Sequence, residues 1–582
     1  MAEPTAPPAA PSLQELQHWT GVLGRAQQMM MEAGIDMMAQ LPAAKAAPAF
    51  PAMFDPAQAM RAGAAFWTDT LELWQRFLDP AHAVRAEESP EHARDRRFRA
   101  PQWREDPVFD FLRQSYFLIA DHMVKGVDSL EGVEPRQKEQ IRFATQGFID
   151  AMSPTNFPAT NPEVIEKIVE TRGENLLKGL QNMLADIAKG QMTQSDTSAF
   201  ELGRNLAMTP GKVVRRTPLY ELIHYAPATK QVFETPLVIF PPWINRFYIL
   251  DLTAEKSFIR WAVEQGLSVF VVSWRSADAS MKDVVWDDYV ERGQIDAIDT
   301  VRELLGVEGV HAIGYCVAGT TLAATLALLT ARGEADKLKT ATFFTTQVDF
   351  AEAGELSLFV GDEQLKMIDS LSSDGYLDGR YMATTFNLLR GRDLIWNYVT
   401  NNYLLGADYA PFDLLHWNAD VTNLPAKWHQ SYLTDLYRDN KLVMPGAMQI
   451  AGTPIDLSTV KTPSYIQAGR EDHIAPAHSV WKITDHFTGP LRFVLAGSGH
   501  IAGVVNPPSA NKYQYWTNEA KVSSLAEFVA GATETKGSWW PDWLQWIEAA
   551  DATRVAARGA RIPGKGKLQA LADAPGEYVK TR

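Results

Sequence analysis

From Thr217 onward the chain alternates short apolar segments with helix-like ones, and this alternation limits what it can fold into more than any other feature. The strand-like segments are Leu219–Tyr225, Leu237–Phe240, Ser268–Val272, His311–Ile313, Ala341–Phe344, Ser464–Ala468 and Arg492–Leu495. Stretches such as Ser257–Gln265 and Trp286–Leu305 read as helices between them. Short apolar runs alternating with helical patterns predict an α/β domain with a mainly parallel sheet covered on both faces. Ligands in such folds bind beyond the carboxyl ends of the strands, so the chemistry is expected in the loops there. Between about 350 and 440 the alternation lapses into a segment dense in Trp, Tyr, Phe, Leu and Asn, which reads as a cap inserted between two strands.

The first 200 residues have a different texture. Residues 1–12 and Pro42–Pro56 are rich in Pro and Ala and are expected to be flexible. Leu13–Leu41 spaces Leu16, Trp19, Leu23, Met30, Met37 and Met38 at roughly helical intervals. It predicts an amphipathic helix that packs on its own domain or docks on a partner or a hydrophobic particle. Met60–Leu78 repeats the pattern with Phe66, Trp67, Leu71, Trp74 and Phe77 before Pro80 stops it, and further helices are expected from Val108 to about Asp150 and from Pro162 to Lys189. The expected organisation is a helical N-terminal domain over 1–205, a first core part over 206–349, the cap over 350–440, and a second core part with a C-terminal tail over 441–582.

A net charge of −15 excludes the basic stripe of a nucleic-acid binder. One cysteine in 582 residues excludes an internal disulfide and fits a reducing compartment. The segment Met1-Ala-Glu-Pro-Thr-Ala-Pro-Pro lacks the regions of a signal peptide, and no apolar run reaches membrane-spanning length, so a cytoplasmic protein is expected. No Cys/His cluster, H-E-x-x-H, EF-hand or Gly-x-x-x-x-Gly-Lys-Ser/Thr pattern occurs, so neither a metal nor a P-loop nucleotide site is expected.

The single cysteine lies in Gly314-Tyr-Cys316-Val-Ala-Gly319, between the end of a buried strand and the start of a buried helix. That is the pattern of a nucleophile elbow. By itself it reads equally as a small hydrophobe packed in a turn. A nucleophilic cysteine needs a base, and the base needs a group to orient it. In α/β-hydrolase folds these follow the nucleophile in the order acid, then histidine. Just after the strand-like Ser464–Ala468 come Glu471 and Asp472; just after Arg492–Leu495, a glycine-rich loop carries His500. His473 competes as base, but it neighbours Asp472 in one loop and points a different way, so His500 is favoured. His311 reads as structural. A cysteine nucleophile attacking a thioester gives another thioester, so the acyl group stays activated for transfer to an alcohol. The residue choice therefore favours acyl transfer over ester hydrolysis.

At these residues the chain resembles the polyhydroxyalkanoate synthases. The resemblance is carried by Phe240-Pro-Pro-Trp-Ile-Asn-Arg-Phe-Tyr-Ile-Leu-Asp251, Val272-Ser-Trp-Arg275, the elbow, Gly469-Arg-Glu-Asp-His473, Ser498-Gly-His-Ile-Ala-Gly-Val-Val-Asn-Pro-Pro508 and Gly537-Ser-Trp-Trp-Pro-Asp-Trp543. Asp95-Arg-Arg-Phe98, Met152-Ser-Pro-Thr-Asn156 and Ser198–Asn205 extend it toward the N-terminus. It implies an α/β-hydrolase fold with an inserted cap, preceded by a mostly helical domain. The residues implied are Cys316 as the nucleophile that carries the growing chain, Asp472 and His500 completing the triad, the backbone N–H groups of Val317 and Trp243 as the oxyanion hole, and Arg390 as a CoA contact. His-Ile-Ala-Gly and the chain length are similar to class I members, which polymerise (R)-3-hydroxyacyl-CoA, chiefly 3-hydroxybutyryl-CoA, and release CoA. The resemblance implies no further cofactor, a homodimer, and association in the cytoplasm with the polyester granule and its coat proteins. Ala318, where the family usually has glycine, and Trp243, where many members have a smaller residue, leave the acyl-chain preference open. Asp472 either orients His500 or helps activate the substrate hydroxyl; a carboxylate near pKa 4 is a weak base for an alcohol, which favours orientation. The competing readings are a thioesterase or polyester depolymerase on the same triad, and a non-catalytic granule-coat protein.

Overall fold

The computed structural model describes residues 56–78 and 88–581. The helix expected over Leu13–Leu41, the segments 1–12 and 42–55, and the stop at Pro80 lie outside the described residues.

The described residues form two compact units, the first running up to Gln194 and including Thr384–Ala410. It is built on α1 (Pro56–Leu78), α2 (Pro107–Asp128), α3 (Pro135–Ala151), α4 (Pro162–Thr171) and α5 (Glu174–Lys189). Helices α2 and α4 begin with proline behind Asp106 and Asn161, whose side chains accept from first-turn N–H groups. The stretch expected as one helix from Pro162 to Lys189 is two, because Arg172 and Gly173 turn left-handed with φ of 54° and 85°. Phe98, Trp103, Tyr116, Phe117 and Ile149 form this unit's core. Residues 384–410 fall inside the span expected as the cap, yet cluster with these helices: Asn175 donates to the Leu404 carbonyl and the Tyr403 hydroxyl to Asp186, each at 2.7 Å.

The second unit, Ser195–Ala383 with Pro411–Arg582, holds an eleven-stranded sheet. In chain order the strands are β1 (Gly211–Arg216), β2 (Tyr220–Tyr225), β3 (Leu237–Phe240), β4 (Val269–Trp274), β5 (Val310–Tyr315), β6 (Leu338–Phe344), β7 (Ser464–Gly469), β8 (Leu491–Ala496), β9 (Gln514–Thr517), β10 (Thr533–Lys536) and β11 (Ala572–Asp573). Across the sheet they run β10-β9-β8-β7-β6-β5-β3-β4-β2-β1-β11. The six from β8 to β4 are mutually parallel, and the strands outside them pair antiparallel. All seven segments expected as strands are strands of this sheet. Those without a sequence signal, β1, β9, β10 and β11, lie in its antiparallel margins, where a solvated face leaves no continuous apolar run. After β5 comes α6 (Val317–Ala331), buried from Val317 to Leu329, which is why it is apolar all round. The inserted segment enters after β6 and leaves before β7. Among the described residues no helix is long and apolar enough to cross a membrane.

Candidate active site

The centre of the sheet puts Cys316 at the junction of β5 and α6. Its backbone is held at φ 53° and ψ −125°, a region that side-chain-bearing residues rarely adopt, as a nucleophile elbow requires. Close packing around the turn explains the flanking glycines. A Cβ on Gly314 would lie 2.5 Å from the Gly319 Cα, and one on Gly319 would lie 1.9 Å from the Thr346 Oγ1. The Cys316 N–H donates to the Phe344 carbonyl at 3.0 Å, which fastens the elbow to the end of β6. Beside it Ala318 is fully buried, its carbonyl accepting from Gln294 Nε2 at 2.8 Å.

The acid and the histidine arrive on the loops after β7 and β8. Asp472 Oδ2 meets His500 Nδ1 at 2.7 Å, while Oδ1 accepts from the N–H groups of Ile474 and Ala475 at 2.8 Å each. It is Asp472, not its exposed neighbour Glu471, and His500, not His473, that make this pair. Gly469 lets the two loops approach, since a Cβ there would lie 3.0 Å from the Ser498 carbonyl oxygen. The His500 loop is braced from two sides. The Tyr315 hydroxyl, at the end of β5, donates to the His500 carbonyl at 2.8 Å. The Trp539 and Trp540 indoles donate to the carbonyls of Gly503 and Val504 at 2.8 and 2.9 Å, which gives the Gly537–Trp543 motif its structural reason.

His500 is hydrogen-bonded to Asp472, and its ring also feels the charge of Cys316. Burial opposes charge on its ring, but attraction from Asp472 and Cys316 and the hydrogen bond to Asp472 outweigh it and raise its pKa to about 10. His311, by contrast, is a core residue: burial pulls it down to about 4, and its Nδ1 lies 2.8 Å from the Thr340 Oγ1.

Val317 is the first residue of α6, so its N–H has no acceptor within the helix. Trp243 lies on the Pro241–Arg246 loop beyond β3, and its backbone N–H makes no hydrogen bond among the described residues. The Trp243 ring is buried, stacked on Tyr289 at 4.0 Å and edge-on to Trp274 and Trp428 at 5.1 Å each. Arg390 belongs to the first unit, where it is half-exposed and paired with Asp393 at 2.6 Å.

Sequence reasoning missed Tyr432 and Tyr437. Both are buried on the wide helical turn Tyr432–Arg438, with ring centroids 5.5 Å apart. Burial is the largest cause raising both hydroxyl pKa values, and the charge at Cys316 adds to each; Tyr437 raises Tyr432 further, whereas the hydrogen bond with Tyr432 pulls Tyr437 down. The only signal was the aromatic density of the inserted segment.

Comparison with known proteins agrees with this geometry. Residues 94–262 match the family described as poly-beta-hydroxybutyrate polymerase (PhaC) N-terminus, and residues 235–507 the alpha/beta hydrolase fold. The poly(3-hydroxyalkanoate) polymerase subunit PhaC of Rhizobium meliloti (strain 1021) is 44% identical over 91% of this chain and 86% of its own. The chain belongs to the poly(3-hydroxyalkanoate) polymerase family. The PhaC subunit of Cupriavidus necator is 42% identical over 89% of this chain and 87% of its own, and the polymerase of Methylorubrum extorquens 45% over 84% and 81%. As a member of this family the chain is an acyltransferase that makes polyester, on an α/β-hydrolase core preceded by a mostly helical region.

Proposed function

We propose that this polymerase builds polyester from (R)-3-hydroxyacyl-CoA, chiefly 3-hydroxybutyryl-CoA, through an acyl-Cys316 intermediate. The observation that carries the reading is the Asp472–His500 pair, set on the loops after β7 and β8 beside a strained elbow cysteine whose charge acts on the His500 ring. His500 takes the proton of the Cys316 thiol. The thiolate attacks the thioester carbonyl, and the oxyanion that forms is met by the N–H groups of Val317 and Trp243, neither of which has another partner to give up. Collapse expels CoA, whose sulfur takes the His500 proton. His500, now neutral, accepts the proton of the next monomer's 3-hydroxyl as that oxygen attacks the acyl-Cys316 thioester and the Cys316 thiolate leaves; the thiolate then attacks the CoA thioester of the lengthened chain and expels CoA, so each cycle adds one unit.

Asp472 fits the orienting role. One oxygen accepts from His500 and the other from two backbone N–H groups, and the side chain is fully buried, which favours orienting His500 over meeting a substrate hydroxyl. Water competes for the acyl group. A bound hydroxyl can reach an effective molarity of roughly 10⁵–10⁸ M, which favours transfer over hydrolysis. Arg390, committed to Asp393, is given no role in this mechanism. A growing, water-insoluble product would keep the enzyme at the surface of a cytoplasmic polyester granule, where a homodimer and granule-coat proteins are the expected partners.

The test is a CoA-release assay with 3-hydroxyacyl-CoA of increasing chain length, the product recovered as polymer or acid. Polymer with stoichiometric CoA is expected, highest for 3-hydroxybutyryl-CoA, and Cys316→Ala abolishes both while the protein remains folded. Free 3-hydroxybutyrate without polymer makes the enzyme a thioesterase, and unchanged turnover in Cys316→Ala refutes the nucleophile.

A further inference from the structure

The Pro241–Arg246 loop is tied to a distant part of the chain by one buried guanidinium. Arg246 has a side chain only 2% exposed. Its Nε reaches Asp420 Oδ1 at 3.3 Å, its Nη1 donates to the Tyr578 carbonyl at 3.1 Å, and its Nη2 donates to the Thr581 carbonyl at 2.7 Å. Both carbonyl contacts are shorter than the carboxylate contact, so the C-terminal segment supplies two acceptors that a desolvated guanidinium needs.

That segment is itself held by a buried charge. Glu221 on β2 is fully buried; its Oε2 accepts from the N–H groups of Glu577 and Tyr578 at 2.9 and 3.0 Å, and Arg216 pairs with its Oε1. Only glycine fits at position 576, where φ is 88° and a Cβ would lie 2.4 Å from Glu221 Oε2. The Tyr578 hydroxyl donates to the Thr217 carbonyl at 2.6 Å, and Val579 is buried in the main core. On the loop's other side, residues 417–422 grip the same short stretch: Trp417 Nε1 donates to the Arg246 carbonyl at 2.7 Å, Thr422 Oγ1 donates to the Trp243 carbonyl, and Asn245 bridges to Val421. Tyr248 and Arg246 share the Asp420 carboxylate.

We propose that Arg246 is a positioning residue and that residues 577–581 act through it: the C-terminal segment fixes the Pro241–Arg246 loop so that the Trp243 N–H stays aimed at the developing oxyanion. The inference rests on the oxyanion role proposed above for Trp243. Without the segment, Arg246 loses two carbonyl acceptors in a buried setting, and the loop moves to rehydrate it. The triad stands on other strands and is untouched.

Two reactions at the same sulfur separate this role from general damage. Acylation by 3-hydroxybutyryl-CoA needs the oxyanion hole; alkylation by iodoacetamide needs only the thiolate. In Arg246→Lys, in Asp420→Asn and in a chain ending at Gly576, kcat for CoA release is expected to fall with KM little changed, by about 10²-fold where the grip is lost and less in Asp420→Asn. The alkylation rate of Cys316 is expected to stay at the wild-type value in all three. Wild-type kcat in the shortened chain, or acylation and alkylation declining together, overturns the proposal. A wild-type protein that releases no CoA would instead overturn the reading beneath it.

Discussion

At Asp472 each carboxylate oxygen already has its partners, and this decides how pH should act on the site. Attraction to Asp472 and Cys316 holds His500 near 10 against the pull of burial. A value raised above the ordinary histidine value of about 6.5 means that the pair's stabilisation is complete below that pH and is lost as pH rises through about 10. The kcat profile for CoA release should therefore hold through neutral pH and decline on its alkaline side as His500 loses its proton. Asp472→Asn removes the first attraction, so the alkaline limb should move to lower pH, and kcat should drop roughly 10⁴-fold as the ring loses its orientation. A profile with an unmoved limb would show that Asp472 does not set the proton affinity of His500. The Asp472–His500 pair was legible because each member follows a strand. Tyr432 and Tyr437 were not, because an irregular helical turn gives no periodic signal in sequence.

Between β5 and α6 the chain turns in the space of one residue, and the packing there leaves no room for a methyl group at Gly319. Thr346, whose Oγ1 such a methyl would strike, also lies 3.4 Å from the Cys316 carbonyl oxygen. Gly319→Ala should therefore push on the elbow. Overpacking of this kind costs about 1–3 kcal/mol, and a displacement near 1 Å at a reacting group can cost about 10²-fold in rate. Thermal unfolding and CoA release should both register it; wild-type values in both would mean that the turn has slack. The parallel strands were legible because burial on both faces makes them continuous apolar runs. The polar margins β1, β9 and β10 were silent for the opposite reason. One long helix expected over Pro162–Lys189 is broken by the left-handed Arg172-Gly173 pair, since apolar spacing continues across a turn that only backbone conformation reveals.

Across the whole chain, the function depends on keeping an acyl group activated as it grows. In the mechanism proposed above a thioester at Cys316 does so, served by the Asp472–His500 pair and by two N–H groups that make no hydrogen bond among the described residues. How the chain divides was less legible than what it does: residues 384–410 are sequence neighbours of the inserted segment but share hydrogen bonds with α5, a long-range association no local pattern encodes. The acyl-cysteine can be observed directly. Turnover with 3-hydroxybutyryl-CoA, quenched in acid and digested, should yield the peptide bearing Cys316 carrying one or more 3-hydroxybutyryl units, in a ladder that lengthens with time. Polymer accumulating while that peptide stays unmodified at every time point would contradict the account.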